Sequence, residues 1–547
     1  MTETAVLLAR RVGTAGGRLA DALAARHRFV LAGFIGLQIG LTVALALSVE
    51  RNGWLTYQGG DQIKFTTTAW ALGQGLLPEG EVGFGWPMLL LPLMWITGAS
   101  SVQLIPLAQA LTVLVLAPLT TLAVYDIAAR LAGRLAGLWC AAIWVAAPYA
   151  AIPLFVERYH ERWTEQFLPQ AMGLTQLADL PSTAIVLCSA AFVVRALTQR
   201  QLPEAVLAGL LAGFAIDVKP SNALFLAGPL LAFAVSRSWR SGLAFLVALV
   251  PALVALTLWK WRGLGYIPIL GLQELHIAAA SRPFTFPLAD SYLDRLPLDF
   301  DAWLQNMSYL REYSWSARLA QWIPVAGFIA VARRSWPAAM LLGGWFLAFV
   351  SIKGATDIAN IENASFWRHV LPALPAFAIF VGALPLLLPG LGRRLADRLE
   401  PAATRRLGWR PPAAVFAWTL IPIVFFAVRG TQAGPGKIVT EAGLMVPVDG
   451  ETVRVTGRRT TEGTVLEWTD ATTRASTFYK VFRAEGTDLQ GGARIVLASA
   501  TLAVTRDRRF VDTSPVPNGV YRIGVAANWE NDLEQGDVFL VSPPLSP

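Results

Sequence analysis

Two short stretches place carboxylates where long apolar runs begin or end. In Gly59-Gly60-Asp61-Gln62-Ile63-Lys64 an acid follows two glycines, with a lysine three residues on. In Ala178-Asp179-Leu180-Pro181 a second acid opens an apolar run. A positioned carboxylate can take the proton from a hydroxyl and so activate a weak nucleophile. Cations stand at comparable places: Lys219 before Pro220, and Arg368 with His369 ahead of the Leu-Pro-Ala-Leu-Pro stretch at 371–375. Lysine and arginine make charge-assisted hydrogen bonds to phosphate, and these are strong in a partly dry site. Each residue also has a plainer reading. Asp61 could be a solvated loop acid. Asp179 could cap or precede its helix, whose Pro181 suits a first turn. Arg368 could reach toward lipid headgroups.

The elements that must position these residues follow from composition. The 547 residues are 54% hydrophobic and 15% charged, against about 25% charged in a soluble protein. Apolar runs of roughly 16–25 residues recur, the length of a helix that crosses a bilayer. The expected fold class is therefore a mostly α, polytopic transmembrane helix bundle, followed by a small extracytoplasmic β-sandwich. The net charge of +8 calls for no nucleic acid, because basic residues of such proteins collect in cytoplasmic loops. No cleavable signal peptide is expected, since no short apolar core precedes a small-residue cleavage site. Cys140 and Cys188 both lie in apolar runs, which argues against a disulfide framework or a cysteine metal site.

Charge settles the count of spans. The apolar stretch Trp86–Gly98 is too short to cross and reads as an interfacial or re-entrant helix. About eleven spans then remain, near 29–49, 102–125, 135–156, 181–197, 203–218, 221–235, 241–259, 316–331, 337–352, 367–388 and 413–428. With this parity the pairs Arg130/Arg134, Arg195/Arg200, Arg237/Arg240 and Arg333/Arg334, and the arginines of 389–412, all fall on one side. The positive-inside rule makes that side cytoplasmic. Asp61, Lys64, Asp179, Lys219, Arg368 and His369 all fall on the other. The expected organisation is a cytoplasmic N-terminus over 1–28, a transmembrane catalytic domain over 29–428, a linker over 429–449 and a β-sandwich over 450–547 outside the plasma membrane. Alternating strand-length runs separated by turn residues such as Asn518-Gly519 carry the sandwich reading.

The ordered set resembles the GT-C superfamily of integral membrane glycosyltransferases, to which protein O-mannosyltransferases and lipid A aminoarabinose transferases belong. The first-loop acid is Asp61, followed by a helical segment and the interfacial Trp86–Gly98. The pattern YDIAARLAGRLAG ends the next span, Asp179 precedes Pro181, Lys219-Pro220 makes a basic turn, and Arg368 runs into LPALP. The match covers residues 29–388. Two departures stand out: Gln62 occupies the place where a second acid often follows, and Asp217 the place where a hydroxyl residue is commoner. The resemblance implies a polyprenyl-phosphate-linked sugar donor, an acceptor that is a cell-envelope glycan, lipid or protein, and contact with membrane lipids. It implies Asp61 and Asp179 as catalytic acids, and Lys219, Arg368, His369 and Lys64 as ligands of the donor phosphate. Residues 450–543 resemble a fibronectin type III domain, with Trp468 on its second strand, YKVFRAEG as its third, and Tyr521 and Asn528 on its penultimate strand.

Two cation sites are open from the sequence. Glu157, His160, Glu161 and Glu165 could bind a divalent cation or form a charged surface segment. NWENDLEQGD could be a calcium or sugar site or a solvated loop. A transporter or lipid flippase, and a non-catalytic glycolipid-binding protein, are the alternatives to an enzyme.

Overall fold

A computed structural model of the chain describes residues 17–48, 61–73, 82–97, 101–154, 168–264, 299–313, 321–355, 361, 365–388, 407–428, 439–440, 443–447, 450–471, 479–484, 500–505, 507–515, 517–526, 538–543 and 545–547. The Glu157–Glu165 cluster and all of NWENDLEQGD, Asn528 included, lie outside these residues.

The apolar runs form helices, as an unpartnered backbone inside a bilayer requires. In chain order they are α1 (His27–Ser48), α2 (Asp61–Gly73), α3 (Gly85–Ile96), α4 (Ser101–Leu111), a π-helical stretch (Thr112–Leu116) and α5 (Ala117–Ala132). Next come α6 (Arg134–Leu154), α7 (Asp179–Gln199), α8 (Leu202–Val218), a 3-10 turn (Pro220–Leu226), α9 (Ala227–Val235), α10 (Trp239–Leu264) and α11 (Phe300–Tyr313). The set closes with α12 (Ile323–Ala332), α13 (Trp336–Gly354), α14 (Ser365–Val370), α15 (Leu374–Ala383) and α16 (Arg410–Val428). Among the described residues seven helical stretches are long and apolar enough to cross a membrane, and Gly85–Ile96, Pro220–Val235 and Ile323–Ala332 are shorter apolar helices. The protein is thus a multi-pass helical membrane protein.

Helix α3 has 12 residues and so is about 18 Å long, short of a bilayer. It is not a surface strap, because Trp86, Leu90 and Met94 are buried in the main core. At its start, a Cβ on Gly85 would lie 2.7 Å from the backbone nitrogen of Val218. The absent side chain lets the α3 backbone press against the end of α8. Helices α8 and α10 pack closely. Gly209 and Gly213, four apart on α8, meet Ala248 and Ala252 of α10, and small residues at that spacing let two backbones approach closely.

The C-terminal part is a sandwich of two sheets. Strands β3 (Val453–Thr460), β4 (Gly463–Asp470) and β7 (Arg509–Asp512) form one sheet. The other runs β1 (Val439–Thr440), β2 (Gly443–Pro447), β9 (Val538–Val541), β8 (Val520–Ala526), β5 (Tyr479–Ala484) and β6 (Ala500–Thr505). Trp468 from β4, Tyr479 and Val481 from β5, and Tyr521, Ile523 and Val525 from β8 fill the core between them. The stretch 429–449, expected to be a linker, is in part structured: β2 pairs in parallel with β9, so the second sheet reaches into it.

A carboxylate locks the sandwich edge. Asp512 Oδ2 accepts hydrogen bonds from the Tyr521 hydroxyl at 2.6 Å and from Arg483 Nη1 at 2.8 Å, and its Oδ1 accepts one from the Ser514 amide at 3.0 Å. Burial pushes this carboxyl up, but the Tyr521 hydroxyl, Arg483 and the Ser514 amide together hold it below its ordinary value. A depressed folded-state pKa adds stability above the unfolded value, about 3.9, and loses it as pH falls through the folded value. Hydrogen-exchange protection of β8 in the full-length protein is therefore expected to drop on acidification below about pH 4. In Asp512→Asn that acid-dependent drop should shrink; an unchanged drop in the variant would refute the assignment.

Candidate functional site

The site is built where α7 begins. Residues 171–178 lead into the helix through Gly173, which has φ +77. A Cβ there would meet Leu180 at 2.7 Å and would also collide with Thr112. Only glycine fits a left-handed turn so tightly packed on the π-helical stretch. Ala178 is the N-cap of α7 and makes no side-chain capping bond. Asp179, the first helical residue, is therefore not a capping residue. The Ser182 and Thr183 hydroxyls donate to its backbone oxygen, at 3.0 and 2.7 Å, and its carboxylate is left to face the neighbouring helices.

That carboxylate is 1% exposed and is held between two cations. Lys219 Nζ donates to Asp179 Oδ1, and Arg368 Nε donates to Oδ2 at 3.1 Å. Lys219 Nζ also lies 3.4 Å from the backbone oxygen of Arg368. Lys219 is the C-cap of α8, in extended conformation, with Pro220 starting the 3-10 turn behind it. That break in the helix aims the lysine at Asp179. Arg368 comes from α14, which precedes the LPALP turn. The three residues are separated by 40 and 149 positions in the chain and meet at one point. Their side chains keep an open edge: Lys219 is 14% exposed and Arg368 25%.

Two further basic residues belong to the same field. His369 feels the charges of Lys219, Lys353, Arg368 and Asp179, and its Nδ1 has no hydrogen-bond partner among the described residues. Lys353, in the last turn of α13, feels the charge of Lys219. Its neighbour Gly354 packs on Trp303 and Phe366, and Asn306 Nδ2 of α11 donates to the Gly354 backbone oxygen at 3.0 Å. Lys219 and Arg368 meet at Asp179, and Lys353 feels the charge of Lys219. Lysine and arginine are the side chains that hold a phosphate ester well.

Asp61 begins α2, and Lys64 lies one turn on; only their backbone is described. The helix start is nevertheless fixed next to the site. Gln62 is 5% exposed, and its Oε1 accepts a hydrogen bond from the Gln176 backbone nitrogen at 2.8 Å. Trp86 Nε1 of α3 donates to the Gln176 backbone oxygen at 2.9 Å. The first turn of α2 and the start of α3 thus grip the chain three residues before Asp179. The other end of α7 differs in kind. There Asp126 of α5 receives Arg130 at 2.9 Å and Arg195 at 3.1 Å, and Arg195 lies 16 residues, about 24 Å, from Asp179 along the helix.

Sequence reasoning missed Lys353 and Gln176, and named Gln62 and Trp86 only by their place in the motif order. Lys353 did carry a signal, since a cation ends the 337–352 span on the side away from the arginine pairs. Gln176 carried none, because its partner Gln62 is more than 100 residues away. Among the described residues no group of three or more His, Cys, Asp or Glu side chains could hold a metal ion.

Among solved structures, the chain is similar to ArnT from Cupriavidus metallidurans bound to undecaprenyl phosphate, with 17% identity and a TM-score of 0.40 over 71% of this chain and 70% of that one. It is also similar to the archaeal oligosaccharyltransferase AglB from Archaeoglobus fulgidus in complex with an inhibitory peptide and a dolichol-phosphate. There the identity is 15% and the TM-score 0.40, over 75% of this chain and 57% of that one. No protein-family model matches the chain, and no curated protein matches it.

Proposed function

We propose that the protein is an integral membrane glycosyltransferase that moves a sugar from a polyprenyl-phosphate donor to a hydroxyl on an extracytoplasmic acceptor. The observation that carries this reading is the buried Asp179 held between Lys219 and Arg368, at the end of α7 away from the Asp126–Arg195 ion pair. A polyprenyl chain lies between helices, and its phosphate meets Lys219, Arg368 and Lys353 at the outer edge. His369 and Lys64 are secondary ligands of the same phosphate. Asp61 takes the proton of the acceptor hydroxyl. The new C–O bond forms at the anomeric carbon as the bond from that carbon to the phosphate oxygen breaks. The electron pair of the broken bond stays on the polyprenyl phosphate, which leaves with one more negative charge. The cations stabilise that growing charge, so the leaving group needs no general acid. Attack from the face opposite the phosphate inverts the anomeric centre.

In this scheme Asp179, already engaged by two cations, orients them and the acceptor more than it acts as base. The sugar transferred is a hexose or pentose, and the acceptor is a cell-envelope glycan, lipid or protein. The protein sits in the plasma membrane with about eleven spans, its N-terminus cytoplasmic and residues 450–547 outside as a fibronectin type III-like module. Two packed sheets around a tryptophan core support that last assignment.

Undecaprenyl phosphate binding to the purified protein tests the reading. Arg368→Met and Lys219→Met are each expected to weaken it about 10–100-fold, the loss of one hydrogen bond to a charged group. Unchanged affinity in both variants would remove the phosphate from this cluster.

A further inference from the structure

The outer end of the bundle holds a concentration of buried polar atoms without partners. Asp217 Oδ1, Ser221 Oγ and Asn222 Oδ1 flank the Lys219 turn, and none has a hydrogen-bond partner among the described residues. Gln176 goes further. It is 1% exposed, and both its Nε2 and its Oε1 lack partners. Among the described residues no other side chain leaves two such atoms. Buried carboxamides are ordinarily paired, and one that is not calls for an explanation.

The backbone of Gln176 shows the opposite. Its nitrogen donates to Gln62 Oε1 and its oxygen accepts from Trp86 Nε1. The main chain is therefore pinned on both sides while the side chain has nothing to bond to. Its position is equally definite. Gln176 lies three residues before Asp179, so their Cα atoms are at most about 11 Å apart. Trp86, which holds it, follows Gly85, and Gly85 presses on Asp217 and Val218 next to Lys219. The backbone of Gln176 is thus tied to the same turns that carry Asp179 and Lys219.

We infer that Gln176 binds the sugar ring of the donor and helps to set which sugar is accepted. This inference rests on the glycosyltransferase reading. A carboxamide offers two N–H donors and a carbonyl acceptor. Adjacent hydroxyls of a sugar each offer a donor and an acceptor, so one glutamine satisfies a vicinal pair. The sugar is joined directly to the phosphate, which places its hydroxyls beside the phosphate ligands, where Gln176 stands. A site whose buried polar groups are completed by substrate hydroxyls discriminates strongly against a substrate lacking them.

The test is equilibrium binding to the full-length protein in lipid nanodiscs. The probes are bare undecaprenyl phosphate and undecaprenyl phosphate carrying glucose, mannose or galactose. Wild-type protein is expected to bind at least one sugar-linked form about tenfold or more tightly than the bare lipid, the gain from a hydrogen-bonded pair. Gln176→Leu should erase that gain, read as the ratio of sugar-linked to bare-lipid affinity in the same variant. If the variant does not fold, wild-type protein should lose the same factor toward a deoxy analogue of the preferred sugar. A gain that survives both Gln176→Leu and every ring-deoxy analogue would show that the carboxamide is structural or water-bound and would overturn the inference. So would a panel in which no sugar-linked lipid binds more tightly than the bare one. Failure of wild-type protein to bind even bare undecaprenyl phosphate would instead overturn the donor reading, and the role of Gln176 with it.

Discussion

Asp61→Asn is expected to lower sugar transfer by about 10²–10⁴-fold, the usual contribution of a general base, with undecaprenyl phosphate affinity unchanged. An alcohol is a poor nucleophile, and the proposed function gives Asp61 the role of its base. Asp179 already has both carboxylate oxygens engaged, by Lys219 and Arg368. Asp61 opens α2, and the Gln62–Gln176 bond fixes that helix start beside the cluster. The substitution keeps size and shape while removing basicity, so it separates chemistry from binding. Full transfer activity in the variant would exclude Asp61 as the base.

Asp179→Ala is expected to destabilise the protein by about 3 kcal/mol and to weaken undecaprenyl phosphate binding more than tenfold. The carboxylate is buried, and its loss leaves two neighbouring cations without the charge that holds them together. Their partial exposure places the effect at the low end for a broken buried pair. Repulsion between Lys219 and Arg368 then opens the site, even though the net positive charge rises. A simple charge count would predict tighter phosphate binding, so the direction of the change distinguishes geometry from bulk electrostatics. Wild-type melting together with wild-type or tighter binding would sink this account.

Much of the fold was legible because bilayer physics is restrictive. A chain with recurring apolar runs must form helices, and arginine pairs set the expectation of which helix ends share one side. That logic placed Asp179 and Lys219 on one side before any geometry was known, and the structure brings them together with Arg368. The plainer reading of Asp179 as a cap was also reasonable, and it failed for a local reason: Ala178 holds the N-cap position, leaving the carboxylate to the cations. What stayed hidden depends on tertiary approach. Gln176 is an uncharged residue in a stretch without periodicity, and its isolation appears only when α2 and α3 close around its backbone. The pairing of β2 with β9 was equally invisible, because a five-residue strand at the end of a polar stretch has too little alternation to stand out.

Helix α7 carries Asp179 at one end and Arg195 near the other. A single helix therefore sets the separation between the Asp179–Lys219–Arg368 cluster and the Asp126–Arg195 ion pair, at about 24 Å along its axis. Neither group can slide along the membrane normal without the other. When the protein meets a thicker or thinner bilayer, the adjustment falls to whole-body tilt or to local deformation of the lipid, and the spacing of the two polar ends stays the same.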